Sequence, residues 1–204
     1  MPPFTVLHVC MGNICRSPMA ERLLVVAAER LVGDKAGQWL HVHGAGTGGW
    51  HHGDRMDPGA ARQVRQRGGD PDRFRARRLL AEHVEASDLI LTATGEQVEF
   101  VERLVPDADG RTFALGEFGR LLRAVDADRL PPFAANPDGV YARGVALVAA
   151  VDAARAGRGP TPADDLDDPW SRGERVFSRV ADEIEQTVVP LAGLLLGGPD
   201  AVGR

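Results

Sequence analysis

The chain has 204 residues, 44% of them hydrophobic and 26% charged, with a net charge of −5 and a pI near 5.7. These proportions are those of a folded globular protein and speak against a disordered or membrane-embedded class. The acidic balance speaks against a general polyanion binder, which needs a basic face to neutralise phosphates. The length favours one domain with a longer insertion over two domains. A single domain is therefore expected over residues 1–198, followed by a tail at 199–204.

The opening MPPFTVLHVCMGN lacks a basic segment followed by a long apolar run, so it does not read as a secretory signal. No apolar stretch reaches the roughly 20 residues needed to cross a bilayer. A cytoplasmic protein without nucleic-acid or membrane partners is expected. Two cysteines only, Cys10 and Cys15, give neither a disulfide framework nor a four-thiolate zinc site. Their closeness suggests reactivity instead.

In chain order, residues 4–9 are β-branched and apolar and run into Cys10, as in a buried strand that stops at the Gly12-Asn13 turn signal. From residue 17 to 31 the apolar residues recur at helical spacing, with Ser17 placed to cap, Pro18 suited to the first turn and Glu21 in that turn. A short strand at 40–43, a glycine-rich loop and a helix at 57–67 follow. Residues 87–94, SDLILTAT, have the continuous apolar centre of a strand buried on both faces. A helix at 96–104 and a strand at 111–115 come next. Residues 126–165 change character, with PPFAANPDG, an alanine-rich helix at 145–156 and GRGPTPADDLDD, and read as an insertion and loop. The last helix, 174–196, repeats apolar residues from Val176 to Leu191, and Pro190 is expected to kink it or end it early. Strands alternating with helices give an α/β fold: a small parallel sheet with helices on both sides.

The chemistry is concentrated in Cys10-Met11-Gly12-Asn13-Ile14-Cys15-Arg16-Ser17-Pro18. A cysteine at the carboxyl end of a strand, followed by an arginine that opens a helix, lets the intervening N–H groups converge on one oxyanion. The helix N-terminus and the guanidinium both favour a thiolate at Cys10, which makes it a nucleophile. Arg16 can hold two phosphate oxygens in a planar fork. Ser17 offers a hydroxyl to the sulfur as it departs. Cysteine and arginine at that separation alone are a common accident, and a cysteine ending a strand is usually core. The whole string carries the reading, because glycine, asparagine, serine and the helix start all fall where a phosphate cradle needs them.

The string CMGNICRSPMAE resembles the signature loop of the low-molecular-weight protein-tyrosine phosphatases, and the likeness continues through GAGTGGWHHGDRMDP, RARRL, SDLILTAT and DDPWSRGERVFSRVADEIE. The resemblance implies a four-stranded parallel sheet, a cysteinyl-phosphate intermediate, no metal or other cofactor, and a phosphotyrosine-bearing protein as substrate. It implies that Cys10, Arg16 and Asp168 are nucleophile, phosphate clamp and general acid, with the loop residues 11–17 binding phosphate. The acid also follows from chemistry, since a departing phenolate needs a proton. Asp167 is the rival within the acidic cluster. Trp50 and Trp170 are candidate pocket walls for an aromatic ring. His51 and His52 have no convincingly spaced third metal ligand and read as loop.

The pattern departs from the family at Gly44, Phe74 and Thr94, where a serine, a histidine and an aspartate often orient the loop asparagine; Ser171 replaces a common aromatic or glycine. Asn13 is thus expected to be held differently or less firmly. The alternatives are an arsenate reductase, which the lack of any cysteine after Cys15 opposes; a phosphoarginine phosphatase, which tends to carry threonine where Ile14 stands; and a non-catalytic phosphate-binding module, which those departures motivate. Cys15 is close enough along the loop to trap an oxidised Cys10 as a disulfide or simply to pack beneath it.

Overall fold

Four strands, β1 (Phe4–Cys10), β2 (Leu40–Gly46), β3 (Leu89–Thr92) and β4 (Thr112–Ala114), form one parallel sheet in the order β2-β1-β3-β4. The structure, a computed structural model, describes residues 2–197; the end of the expected domain at 198 and the tail at 199–204 lie outside them. Among the described residues eight α-helices accompany the strands: α1 (Arg16–Val32), α2 (Ala36–Trp39), α3 (Pro58–Gln66), α4 (Ala81–Glu85), α5 (Gly95–Leu104), α6 (Leu115–Leu122), α7 (Pro137–Arg155) and α8 (Glu174–Leu196).

The alternation of side chains along β1 divides the core. Phe4, Val6 and Cys10 join the larger cluster with α1, α3, α6, α7 and α8, whereas Leu7 and Val9 meet Val84 of α4 and Val101 of α5 on the opposite face. Each fully buried aliphatic or aromatic side chain contributes about 1.5–3 kcal/mol. Helices therefore cover both faces, as the alternating elements imply. Because β1 is flanked by β2 on one side and β3 on the other, chain order reverses there, and the loop after Cys10 opens at the crevice where ligands bind in such sheets.

The structure corrects several sequence expectations. β2 runs to Gly46, not His43, because Gly44, Ala45 and Gly46 pair with His8, Val9 and Cys10. Gly46 has no room for a side chain: a Cβ would stand 2.6 Å from the Met11 carbonyl oxygen. α1 begins at Arg16, so Ser17 lies inside it and makes no capping bond, and Glu21 is buried on its inner side. α7 begins at Pro137, eight residues before the expected start, with the Asn136 side chain accepting from Gly139 N–H. Its Val140, Leu147 and Val151 sit in the main core, so much of residues 126–165 is helix and not loop. α8 passes through Pro190 to Leu196, since Leu191, Ala192, Leu194, Leu195 and Leu196 are all buried beyond it. α2, α4 and α6 are additional to the elements read from the sequence.

Candidate active site

The loop between β1 and α1 turns at Asn13, whose φ of 55° puts a non-glycine residue in the left-handed region. Such a conformation needs external support. Asn13 is completely buried; its Nδ2 donates to Ser17 Oγ at 2.8 Å, and its Oδ1 accepts from the backbone N–H of Arg77 at 2.9 Å. One of its two partners is thus a backbone donor from the RARRL segment. Arg77 is itself fixed, its Nε donating to Gly44 O at 2.8 Å. The space that a larger residue at 44 would fill is taken by Glu21 and Asn13: a Cβ there would stand 2.9 Å from Glu21 Oε2 and 3.0 Å from Asn13 Nδ2. Burial pushes the Glu21 carboxyl up to about 7.

Ser17 joins this support to the sulfur. Its Oγ lies 3.0 Å from Cys10 Sγ. Among the described residues, no backbone N–H from Met11 to Cys15 donates to another backbone group, so the loop that follows Cys10 keeps five amide donors. Arg16 is nearly buried; its Nη1 donates to Leu166 O at 3.2 Å and its Nη2 to Asp168 Oδ2 at 2.8 Å, while Nε has no hydrogen-bond partner.

These groups meet at a cavity of about 190 Å³. Cys10, Met11, Gly12, Ile14, Cys15 and Arg16 form its floor and sides, and Asp168, Trp50 and Trp170 its rim. Both indoles are more than half exposed, 66% for Trp50 and 58% for Trp170. Asn13 and Ser17 stand behind the cavity as support and do not line it. His51, read from the sequence only as loop, does line it; its ring packs where a Cβ on Gly12 would come within 3.0 Å, and its Nδ1 pairs with Asp54 Oδ2 at 2.8 Å. Its adjacency to Trp50 was the available signal.

The acidic cluster divides its work. Asp164 is buried against Arg120, Asp165 accepts from Gly95 N–H at the start of α5, and Asp167 pairs with Arg179 and Arg172. The hydrogen bond from Arg179 holds the Asp167 carboxyl below its ordinary range. Asp168 alone of the four reaches the Cys10 cavity, and its Oδ1 accepts from Trp170 N–H at 3.1 Å. Leu166 N–H bonds Ala93 O at 2.8 Å, which anchors this segment at the carboxyl end of β3. Both cysteines are free. Burial pushes the Cys15 thiol strongly up, with the negative neighbour Asp57 adding to it, so Cys15 is a neutral thiol beneath the loop. Among the described residues no three His, Cys, Asp or Glu side chains converge as a metal site, and no helix is long and apolar enough to cross a membrane.

A family model described as low molecular weight phosphotyrosine protein phosphatase matches residues 5–150. A probable low molecular weight protein-tyrosine-phosphatase EpsP of Ralstonia solanacearum is 39% identical over 113 residues, 55% of this chain and 71% of that protein. The low molecular weight protein-tyrosine phosphatase A of Mycobacterium bovis is 38% identical over 106 residues, 52% of this chain and 62% of that protein, so the match spans under two thirds of its length. The YwlE arginine phosphatase from Geobacillus stearothermophilus superposes with a TM-score of 0.62 at 23% identity, over 93% of this chain and 91% of that one, a likeness of fold.

Proposed function

The chain belongs to the low molecular weight phosphotyrosine protein phosphatase family, a family of phosphoric monoester hydrolases, and from that membership we propose that it hydrolyses phosphotyrosine monoesters on proteins, without metal, through a phosphorylated Cys10. The observation that carries this reading is the meeting of Cys10, the half-satisfied Arg16 and Asp168 around one cavity. A cytoplasmic setting, where thiols are kept reduced, suits a mechanism that needs Cys10 free.

In the first step the Cys10 thiolate attacks phosphorus, an S–P bond forms, and the P–O bond to the aryl oxygen breaks. That oxygen takes the proton of the Asp168 carboxyl and leaves as a phenol. Arg16, turning its fork from Asp168 to the phosphoryl oxygens, and the amides of residues 11–15 stabilise the transferring group. In the second step Asp168 takes a proton from water as the water oxygen attacks phosphorus. The S–P bond breaks, inorganic phosphate leaves, and Ser17 Oγ–H steadies the returning thiolate. Trp50 and Trp170 at the rim offer faces for a phenyl ring, and Ile14 makes the side wall apolar, which favours an aromatic ester over a phosphoguanidinium.

Hydrolysis of p-nitrophenyl phosphate in EDTA, with Cys10→Ser as control, tests the mechanism. Turnover unaffected by EDTA and abolished by the substitution is expected; turnover that survives Cys10→Ser sinks it. Phosphotyrosine and phosphoarginine peptides of one sequence then test the substrate, and faster release from the phosphoarginine peptide would assign the chain to the second class.

A further inference from the structure

Among the described residues there is a cavity larger than the one at Cys10. A cavity of about 610 Å³ opens between α6, the end of α7, α8 and the segment 161–166, which holds a 3-10 turn at Pro162–Asp164. That volume lies within the range of about 300–1,000 Å³ usual for small-molecule sites. Part of its wall, from Ala154 to Leu166, comes from the end of the 126–165 segment and the residue after it, all beyond the residues matched by the family model.

Its charges are unequally engaged. Of the four acids around it, Asp164 is held by Arg120, Asp165 by Gly95 N–H, Glu183 by Arg179, and Glu117 faces Arg155 at 3.6 Å. Arg155 is fixed in turn by the Thr112 carbonyl and lies 4.0 Å over the Phe113 ring. Among the described residues, the side chains of Arg123 and Arg158 have neither an ion-pair nor a hydrogen-bond partner. Arg158 reaches the cavity because α7 ends on two successive left-handed residues, Ala156 at φ 53° and Gly157 at φ 71°, which swing the chain back across α6. The cavity thus offers two guanidinium forks without a partner among the described residues, against one carboxylate, Asp165, whose bond is to a backbone N–H and not to a cation.

Deeper in, Glu117 is 1% exposed, and its Oε1 has no hydrogen-bond partner. A buried acceptor left in this state is costly, and a ligand N–H or O–H would satisfy it. Glu117 in α6 and Arg123 at its C-cap are six positions apart, about 9 Å along the axis at 1.5 Å per residue. A single ligand long enough to span them needs an anionic end and a donor end.

We propose that this cavity binds a small organic phosphate, its phosphate groups held by Arg123 and Arg158 and an amine or hydroxyl donor turned to Glu117. It is a site separate from the Cys10 cavity, with no lining residue in common, and Leu166, which lines it, accepts from Arg16 on the other side.

Isothermal titration with ATP in EDTA, against wild type and an Arg123→Ala, Arg158→Ala double variant, tests it. Removing two charge-assisted contacts is expected to weaken ATP binding about 10- to 100-fold or more, while the KM for p-nitrophenyl phosphate stays unchanged and shows that the double variant is folded. Adenosine, which lacks the phosphates, is expected to bind the wild type more weakly than ATP by a similar factor. ATP affinity untouched by the double substitution, absence of ATP binding at millimolar concentration, or ATP acting solely as a competitor at the Cys10 cavity would each overturn the proposal.

Discussion

Arg16 and Asp168 hold each other at 2.8 Å across the mouth of the Cys10 cavity, so the proposed phosphate clamp and proposed acid share one bond that an arriving phosphate would exchange. Asp168→Asn keeps a partner for the guanidinium but has no proton to give. Turnover of p-nitrophenyl phosphate is expected to fall roughly 10²- to 10⁴-fold. The loss should be larger for phenyl phosphate, whose leaving group needs the proton more. Equal losses on the two esters would show that Asp168 serves position and not protonation.

Ser17→Ala removes the hydroxyl 3.0 Å from Cys10 Sγ. The returning thiolate then loses a donor in the second step, and the phosphorylated enzyme accumulates. Stopped-flow mixing should show a burst of p-nitrophenol approaching one equivalent per site, followed by a slower steady state. A variant that slows without a burst would place the serine in the first step.

Asn13 makes two buried hydrogen bonds from a left-handed backbone. Asn13→Ala loses both and keeps a Cβ at φ 55°, whereas Asn13→Gly loses the bonds but relaxes the backbone. Denaturant unfolding should find both variants less stable, with alanine worse than glycine by about 1–2 kcal/mol. Reversal of that order would mean that the loop does not hold its turn.

His8 lies wholly inside the main-core side of β1 with neither ring nitrogen hydrogen-bonded, and burial, aided by His43, pushes its pKa down to about 3. The unfolded chain takes up a proton near pH 6.5 that the folded chain refuses, so this residue's stability contribution is lost as pH falls from about 6.5 toward 3. Glu21 acts with the opposite sign, its neutral form being favoured up to about pH 7. His8→Leu should raise stability by about 1–3 kcal/mol and flatten the acid limb of the stability profile. An unchanged acid limb would transfer that sensitivity to His43, which burial and Arg77 also hold down at about 3.

What could be read from the sequence was what local spacing encodes. Cys10, Arg16 and Ser17 lie within one strand-loop-helix unit, so their order along the chain already fixes their proximity, and the DDPW string marked Asp168 by its neighbours. The support of Asn13 could not be read, because its donor is the backbone N–H of Arg77, a group that every residue but proline carries. α6 escaped because Leu115 starts it directly after β4, with no glycine, proline or polar turn between them. α7 was read short because PPFAANPDG looks like punctuation, although Asn136-Pro137 is also a helix start. Pro190 was read as a kink or early end, but the helix runs on to Leu196, because the buried residues that follow outweigh one missing backbone bond.

Arg16 and Asp168 are 152 residues apart in the chain. At about 5–20 residues per second, a ribosome delivers the second roughly 8 to 30 s after the first. Through that interval the growing polypeptide carries Cys10 and Arg16 without the acid proposed to face them. Only when residues 166–168 dock against Ala93 and Arg16 is the proposed site complete, so the bond that closes it waits until residue 168 has been made.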